Sequence, residues 1–292
     1  MFCKYRILLS IDGAGIKGII PLKILNYLHQ SMIQLDDELD VTSWVDVFSS
    51  CSASSIFTGA LMLKDKQGRT IHSPGQMLEF YLKRGPQIFS HNVGVNAEDS
   101  IYPLTFTLNH FFGQINMTDV RNHFLFLSYS KSQESLFSFT NFMDRYHDLS
   151  LAKVMNACSA IPGVYPSVKL GNLELSDALF KLQNPSLMAY DYAKMLYPNE
   201  HLILISIGAG ETNELTPLNM QVRETHQQLL EISEYDPKLT YFRFQPKLKS
   251  NYDATDISRE KMDELVELSE EYIFNEMTVF EELLHLMAFK AV

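Results

Sequence analysis

Three short segments of the chain combine residue types able to do covalent chemistry. The first is Asp12-Gly13-Ala14-Gly15-Ile16-Lys17-Gly18. Its small residues let backbone amides approach an anion closely, and a helix starting there adds partial positive charge. The second, Ser49-Ser50-Cys51-Ser52-Ala53-Ser54-Ser55, sets a serine among small neighbours, as a nucleophile on a strained, exposed turn requires. The third is Asp177 in Leu175-Ser176-Asp177-Ala178-Leu179, ahead of Asn184-Pro185. Its carboxylate takes a serine proton only if the fold brings it within about 2.6–3.2 Å of the hydroxyl.

Each segment has a plainer reading beside the chemical one. Gly13, Gly15 and Gly18 also satisfy GxGxxG, but a dinucleotide site needs a second strand and an acidic ribose partner about 20 residues further on. Asp36 and Asp37 fall near that distance in a charged stretch with no strand before them, and a plain tight turn remains open. The serine run reads equally as a polar loop, and Asp177 as a turn former.

The elements that must position these residues follow from hydrophobic pattern. Tyr5 to Ile11 is an apolar run stopping at a glycine turn, as a buried parallel strand does. A helix is predicted from about Gly18, with Ile20, Ile24, Leu25 and Leu28 on one face, ending in the charged stretch from Leu35 to Asp40. Trp44 to Phe48 reads as a second strand and Ile56 to Leu63 as a buried helix. Strands are expected at Phe124 to Tyr129, Leu136 to Phe139 and Leu202 to Ile207. Helices are expected at Leu151 to Cys158, Ser258 to Phe274 and Glu276 to Phe289. Alternating strands and helices imply a parallel sheet covered on both faces, and with no Pro/Gly/Ser-rich linker the chain reads as one domain, 1–292.

Composition narrows the function classes. Acidic side chains outnumber basic ones 35 to 24, a formal charge of −11, which repels a phosphate backbone; nucleic acid is excluded as a partner. Lys64, Lys66 and Arg69 form a small basic patch, read as a solvated turn around Gly68. Cys3, Cys51 and Cys158 are odd in number and widely spaced, which suits a reducing compartment, cytoplasmic or peripheral at a membrane. The N-terminal apolar run is too short for a signal peptide, and no apolar stretch is long enough to span a bilayer. In the last helix Met277, Phe280, Leu284 and Met287 recur at helical spacing; Glu281 and Glu282 favour a core-facing stripe over an interfacial one.

Taken in order, the three segments resemble the patatin-like phospholipases, whose pattern is DGGGxRG, then GxSxG, then DGG or DGA with an NNP-like segment after it. Gly85-Pro86-Gln87-Ile88-Phe89, Cys158-Ser159-Ala160-Ile161-Pro162, Ser206-Ile207-Gly208-Ala209-Gly210 and Tyr241-Phe242-Arg243-Phe244-Gln245 are similar to the family too, so the likeness runs from about Tyr5 to Glu271. The resemblance implies a three-layer α/β/α fold with a central, mostly parallel sheet and a nucleophile elbow. It implies a lipid acyl hydrolase in which Ser52 is the nucleophile, Asp177 its base, and Gly13, Ala14 and Gly15 the oxyanion loop, with Lys17 where the family usually has Arg. The expected substrate is a phospholipid or another acyl lipid, met with peripheral membrane contact; no metal and no organic cofactor is required. Ser50, Ser54 and Ser55 stand where the family has glycine, as do Ala14 and Leu179. If any of these positions needs positive φ, the elbow is misshapen, and the alternative is a patatin-fold protein that has lost catalysis and binds lipid or a protein partner.

Overall fold

Tyr5–Ile11 forms the central strand β1 because it can be buried on both faces: Ile7, Leu9 and Ile11 point to one side and Leu8 to the other. The computed structural model describes residues 4–37, 39–89, 102–142, 148–249, 252 and 257–291. Parallel neighbours flank β1: β2 (Val47–Cys51) on one edge and β7 (His201–Ile207) on the other, with β8 (Leu239–Phe244) parallel beyond β7. On the far edge of β2 lies β3 (His123–Ser130), again parallel. Three antiparallel strands complete the sheet, which among the described residues has eight: β4 (Ser135–Thr140) on β3, β6 (Leu173–Asp177) on β3, and β5 (Val168–Leu170) on β6.

The helices sort onto the two faces. On one lie α1 (Ile19–Leu35), α3 (Ser54–Leu61), α4 (Pro74–Phe89), α5 (Tyr102–Phe112), α6 (Leu151–Ser159), α9 (Arg259–Asn275) and α10 (Met277–Ala291), packed with the short α2 (Val41–Trp44) into one large apolar cluster. On the other, α7 (Ser186–Leu196) and α8 (Pro217–Tyr235) cover Leu8, Val47, Leu125 and Leu204. The result is a three-layer α/β/α architecture with a mostly parallel sheet.

One expectation shifts and others hold. Trp44 is not in a strand: Asp40 caps α2 by accepting from the Thr42 and Ser43 amides, and β2 starts only at Val47. The stripe on α10 faces the core, Phe280 stacking on the Phe244 ring with centroids 4.3 Å apart. Around Gly68 (φ +84°) the basic patch is a surface turn closed by Asp65 and Arg69. No helix among the described residues is long and apolar enough to cross a membrane. Cys3 lies outside the described residues; Cys51 and Cys158 are free, buried thiols.

Candidate active site

One edge of β3 brings the serine and the aspartate together. Its other edge is occupied by β4 from Leu125 to Ser130, so β2 and β6 must share this one, β2 pairing as far as Leu127 and β6 from Ser128 onward. Cys51, the last residue of β2, faces Leu127, and Asp177, the last of β6, faces Ser128. The chain leaves β2 through Ser52, whose φ is +56°; among the described residues only Glu134 is another non-glycine with positive φ. That conformation costs a serine about 1–2 kcal/mol and is the strained turn a nucleophile elbow needs. Ala53 then returns to helical angles and opens α3.

The Ser52 hydroxyl donates to Asp177 Oδ2 at 2.7 Å. The other carboxylate oxygen accepts from the Leu179 amide at 2.8 Å, and the Asp177 amide donates to the Ala160 carbonyl at 2.9 Å, so the acid is aimed by its own backbone. Both side chains are buried, and burial pushes the Asp177 carboxyl up to about 7 against the pull of the Ser52 and Leu179 hydrogen bonds. Among the described residues no histidine hydrogen-bonds to either member of the pair, and no three His, Cys, Asp or Glu side chains converge as metal ligands.

The serines at the family's glycine positions do not misshape the elbow. Ser50, Ser54 and Ser55 all lie outside the positive-φ region, so none needs glycine's freedom. Ser50 Oγ donates to Ser55 Oγ at 3.3 Å inside the turn. Ser54 Oγ donates to the Asp12 carbonyl at 2.7 Å and so ties the elbow to the loop that follows β1. Leu179 is likewise free of positive φ, and Ala14 sits at φ −139°, where a methyl is tolerated.

Within that loop the three small residues have separate tasks. A Cβ on Gly13 would stand 3.1 Å from both Cys51 Sγ and Ser52 Cβ, so glycine is what lets the loop lie against the elbow. Gly15 takes φ +53° to enter a 3-10 turn, Gly15–Gly18, that runs into α1. The Gly13 amide is already used, donating to the Gln183 carbonyl at 2.9 Å, while Gln183 Nε2 donates back to the Gly13 carbonyl at 3.1 Å. The amides of Ala14 and Gly15 carry no hydrogen bond among the described residues. Lys17 is half-buried within the turn.

Three further residues hold this loop. Arg243, on β8, grips Asp12 through two parallel bonds, Nη1 to Oδ1 at 2.8 Å and Nη2 to Oδ2 at 2.6 Å, with 4% and 0% of the two side chains exposed. Gln221, on α8, accepts from the Gln183 and Asn184 amides at 2.9 and 3.0 Å and so steadies the residue that clamps Gly13. Arg243 lay within a family-like segment; Gln183 and Gln221 gave no signal, since they act on or through backbone groups that every residue carries. Over the elbow lies α4: Tyr81 Oη donates to the Ala53 carbonyl at 3.0 Å, Gly85 packs on Ile16, and the Tyr165 hydroxyl donates to the Ile88 carbonyl.

An α/β/α sandwich with a serine on a positive-φ turn, an aspartate bonded to it and a glycine-rich loop after its first strand defines the class of fold to which the chain is compared. The model of the patatin-like phospholipase family matches residues 9–190, and the chain belongs to that family. Patatin-like protein 1 of Arabidopsis thaliana is 25% identical over 70% of this chain and 59% of its own length. Patatin-like protein 2 of Arabidopsis thaliana is 36% identical over 28% of this chain and 20% of its own. The chain thus spans well under two thirds of the curated relatives it matches. Human GIVD cytosolic phospholipase A2, solved with methyl gamma-linolenyl fluorophosphonate, shares the fold at a TM-score of 0.51 and 11% identity, over 97% of this chain and 59% of that one.

Proposed function

We propose that the chain hydrolyses acyl esters of lipids, phospholipids among them, through a Ser52-Asp177 dyad. The observation that carries this reading is the 2.7 Å hydrogen bond from a serine held at positive φ to a buried carboxylate. Asp177 takes the hydroxyl proton as Ser52 Oγ attacks the ester carbonyl, and the tetrahedral oxyanion settles on the Ala14 and Gly15 amides, which are free to donate, with Gly13 providing the close approach. Collapse passes the proton from Asp177 to the leaving alkoxide and leaves an acyl-enzyme. Water, deprotonated by Asp177, then releases the fatty acid and restores Ser52. The site chemistry calls on no metal and no cofactor.

Lipid rather than a small soluble ester is supported by the family and by Phe180, three residues past Asp177 and 61% exposed, which offers an apolar contact for a peripheral approach to membrane. Ser52 itself is fully buried in this conformation, so substrate entry requires the cover over the elbow to yield. The reading as a non-catalytic lipid- or protein-binding relative rested on the replaced glycines, and none of those positions has positive φ.

The test is reaction of the purified protein with a fluorophosphonate probe, followed by fatty-acid release from mixed phospholipid vesicles. Labelling and release by the wild type, absent in Ser52→Ala and greatly reduced in Asp177→Asn, is the expected result. A folded wild-type protein that neither labels nor releases fatty acid overturns the proposal.

A further inference from the structure

Away from the dyad lies a cleft of about 490 Å³ between α4 and α5, a volume in the range that small-molecule ligands occupy. On α4 its wall is a helical stripe that includes Phe80, Arg84, Gln87 and Ile88; on α5, Phe106 and His110 face it. Ile88 is buried in the floor, Phe80 packs edge-on against Phe111, and Phe106 is 62% exposed. At the rim stands a cation. Arg84 donates to Gln87 Oε1 at 3.0 Å and has no carboxylate partner among the described residues, whereas its neighbour Lys83 is paired with Glu79. His110 lies parallel to the Phe106 ring, with centroids 6.4 Å apart.

An apolar trough with an unneutralised guanidinium at its edge complements one kind of ligand, a molecule with a single carboxylate head and a long hydrocarbon tail. The exposed Arg84 guanidinium can pair with a carboxylate head, a contact that a neutral apolar ligand does not make, and a soluble dicarboxylate would leave the aromatic walls wet. The described lining contains neither Ser52, Asp177 nor any residue of the Gly13 to Gly15 loop. We infer that this cleft is a binding site for a long-chain fatty acid, separate from the dyad, with the carboxylate on Arg84 and the chain along Phe80, Ile88 and Phe106. The inference does not depend on the chemistry proposed for Ser52.

The experiment measures binding of cis-parinaric acid, and of the fatty alcohol with the same chain, to the full chain and to Arg84→Gln, Phe106→Asp and Ser52→Ala. Saturable binding of the acid is expected, with the same affinity in wild type and in Ser52→Ala. Arg84→Gln should weaken the acid about fivefold and leave the alcohol unaltered, as loss of one rim ion pair does. Phe106→Asp should weaken both tenfold or more. Equal affinities for the acid in wild type and Arg84→Gln, or loss of binding in Ser52→Ala, would overturn the assignment; the latter would place the tail at the dyad instead. A protein that releases no fatty acid from vesicles but binds the acid through Arg84 keeps this site while losing the hydrolase reading.

Discussion

A base that must take a proton from serine works best when its own affinity for that proton is tuned near the working pH. Burial lifts Asp177 to about 7, so below that pH the carboxyl is protonated and cannot accept the Ser52 proton. Under the mechanism proposed above, the rate of fluorophosphonate labelling should therefore rise with pH along a single-proton curve centred near 7 and level off above it; a flat profile from pH 5 to 9 would contradict the proposed role of Asp177. Ser54 offers a second check. Ser54→Gly restores the family's usual residue but removes the bond to the Asp12 carbonyl. Its loss should lower kcat about three- to tenfold with little change in KM, since such a bond is worth about 0.5–1.5 kcal/mol and steadies the loop proposed to hold the oxyanion rather than the substrate. Ser52 and Asp177 were legible as a candidate pair because a hydroxyl and a carboxylate reside in side chains, and the fold brings the two together. The engagement of the Gly13 amide by Gln183 was not, because a backbone carbonyl leaves no mark on residue type.

Among the elements, β8 reaches past β7 to hold the end of β1, since Arg243 and Asp12 form their bidentate pair across the intervening strand, which adds Ser206 Oγ at 2.7 Å. Arg243→Met should cost about 3–5 kcal/mol in chemical denaturation because it strands a buried carboxylate, and adding Asp12→Asn should recover much of that loss. A double variant no more stable than the single one would show that the pair is not what β8 contributes. The strands rich in apolar residues, β1, β3 and β7, were legible in the sequence because burial on both faces favours such runs, with only an occasional serine inside them. Others were obscured for local reasons: β5 and β6 are short and half-buried at their outer ends, and α4 carries Gly85-Pro86 inside a helix, where those residues ordinarily signal a break. Trp44 misled because Val45, Val47 and Phe48 follow it, while the cap that Asp40 supplies decides the segment for a helical turn.

For the whole molecule, the same raised carboxyl is a burden on stability. Asp177 holds its proton in the folded state up to about pH 7 but gives it up near 3.8 when unfolded, so between those values the unfolded chain binds fewer protons and stability falls as pH rises; above 7 the effect is constant. Three pH units correspond to about 4 kcal/mol. Asp177→Asn lacks this penalty, so its stability advantage over wild type should widen by roughly that amount between pH 4 and pH 8 in urea titrations, and parallel curves would refute it. The three-layer architecture was readable from alternation, whereas the turnback of β6 onto β3 was not, because strand order depends on contacts far apart in the chain. That turnback makes β3 a ruler. Ser52 and Asp177 are 125 positions apart in sequence, yet the strand that leads into Ser52 and the strand that ends in Asp177 finish on consecutive rungs, opposite Leu127 and Ser128. The ruler has no division finer than one residue, about 3.3 Å, and each step also turns a side chain to the opposite face. The dyad's spacing is therefore digital: an extra residue in β6 breaks it outright, while surface turns along the intervening chain can lengthen without the two groups registering any change.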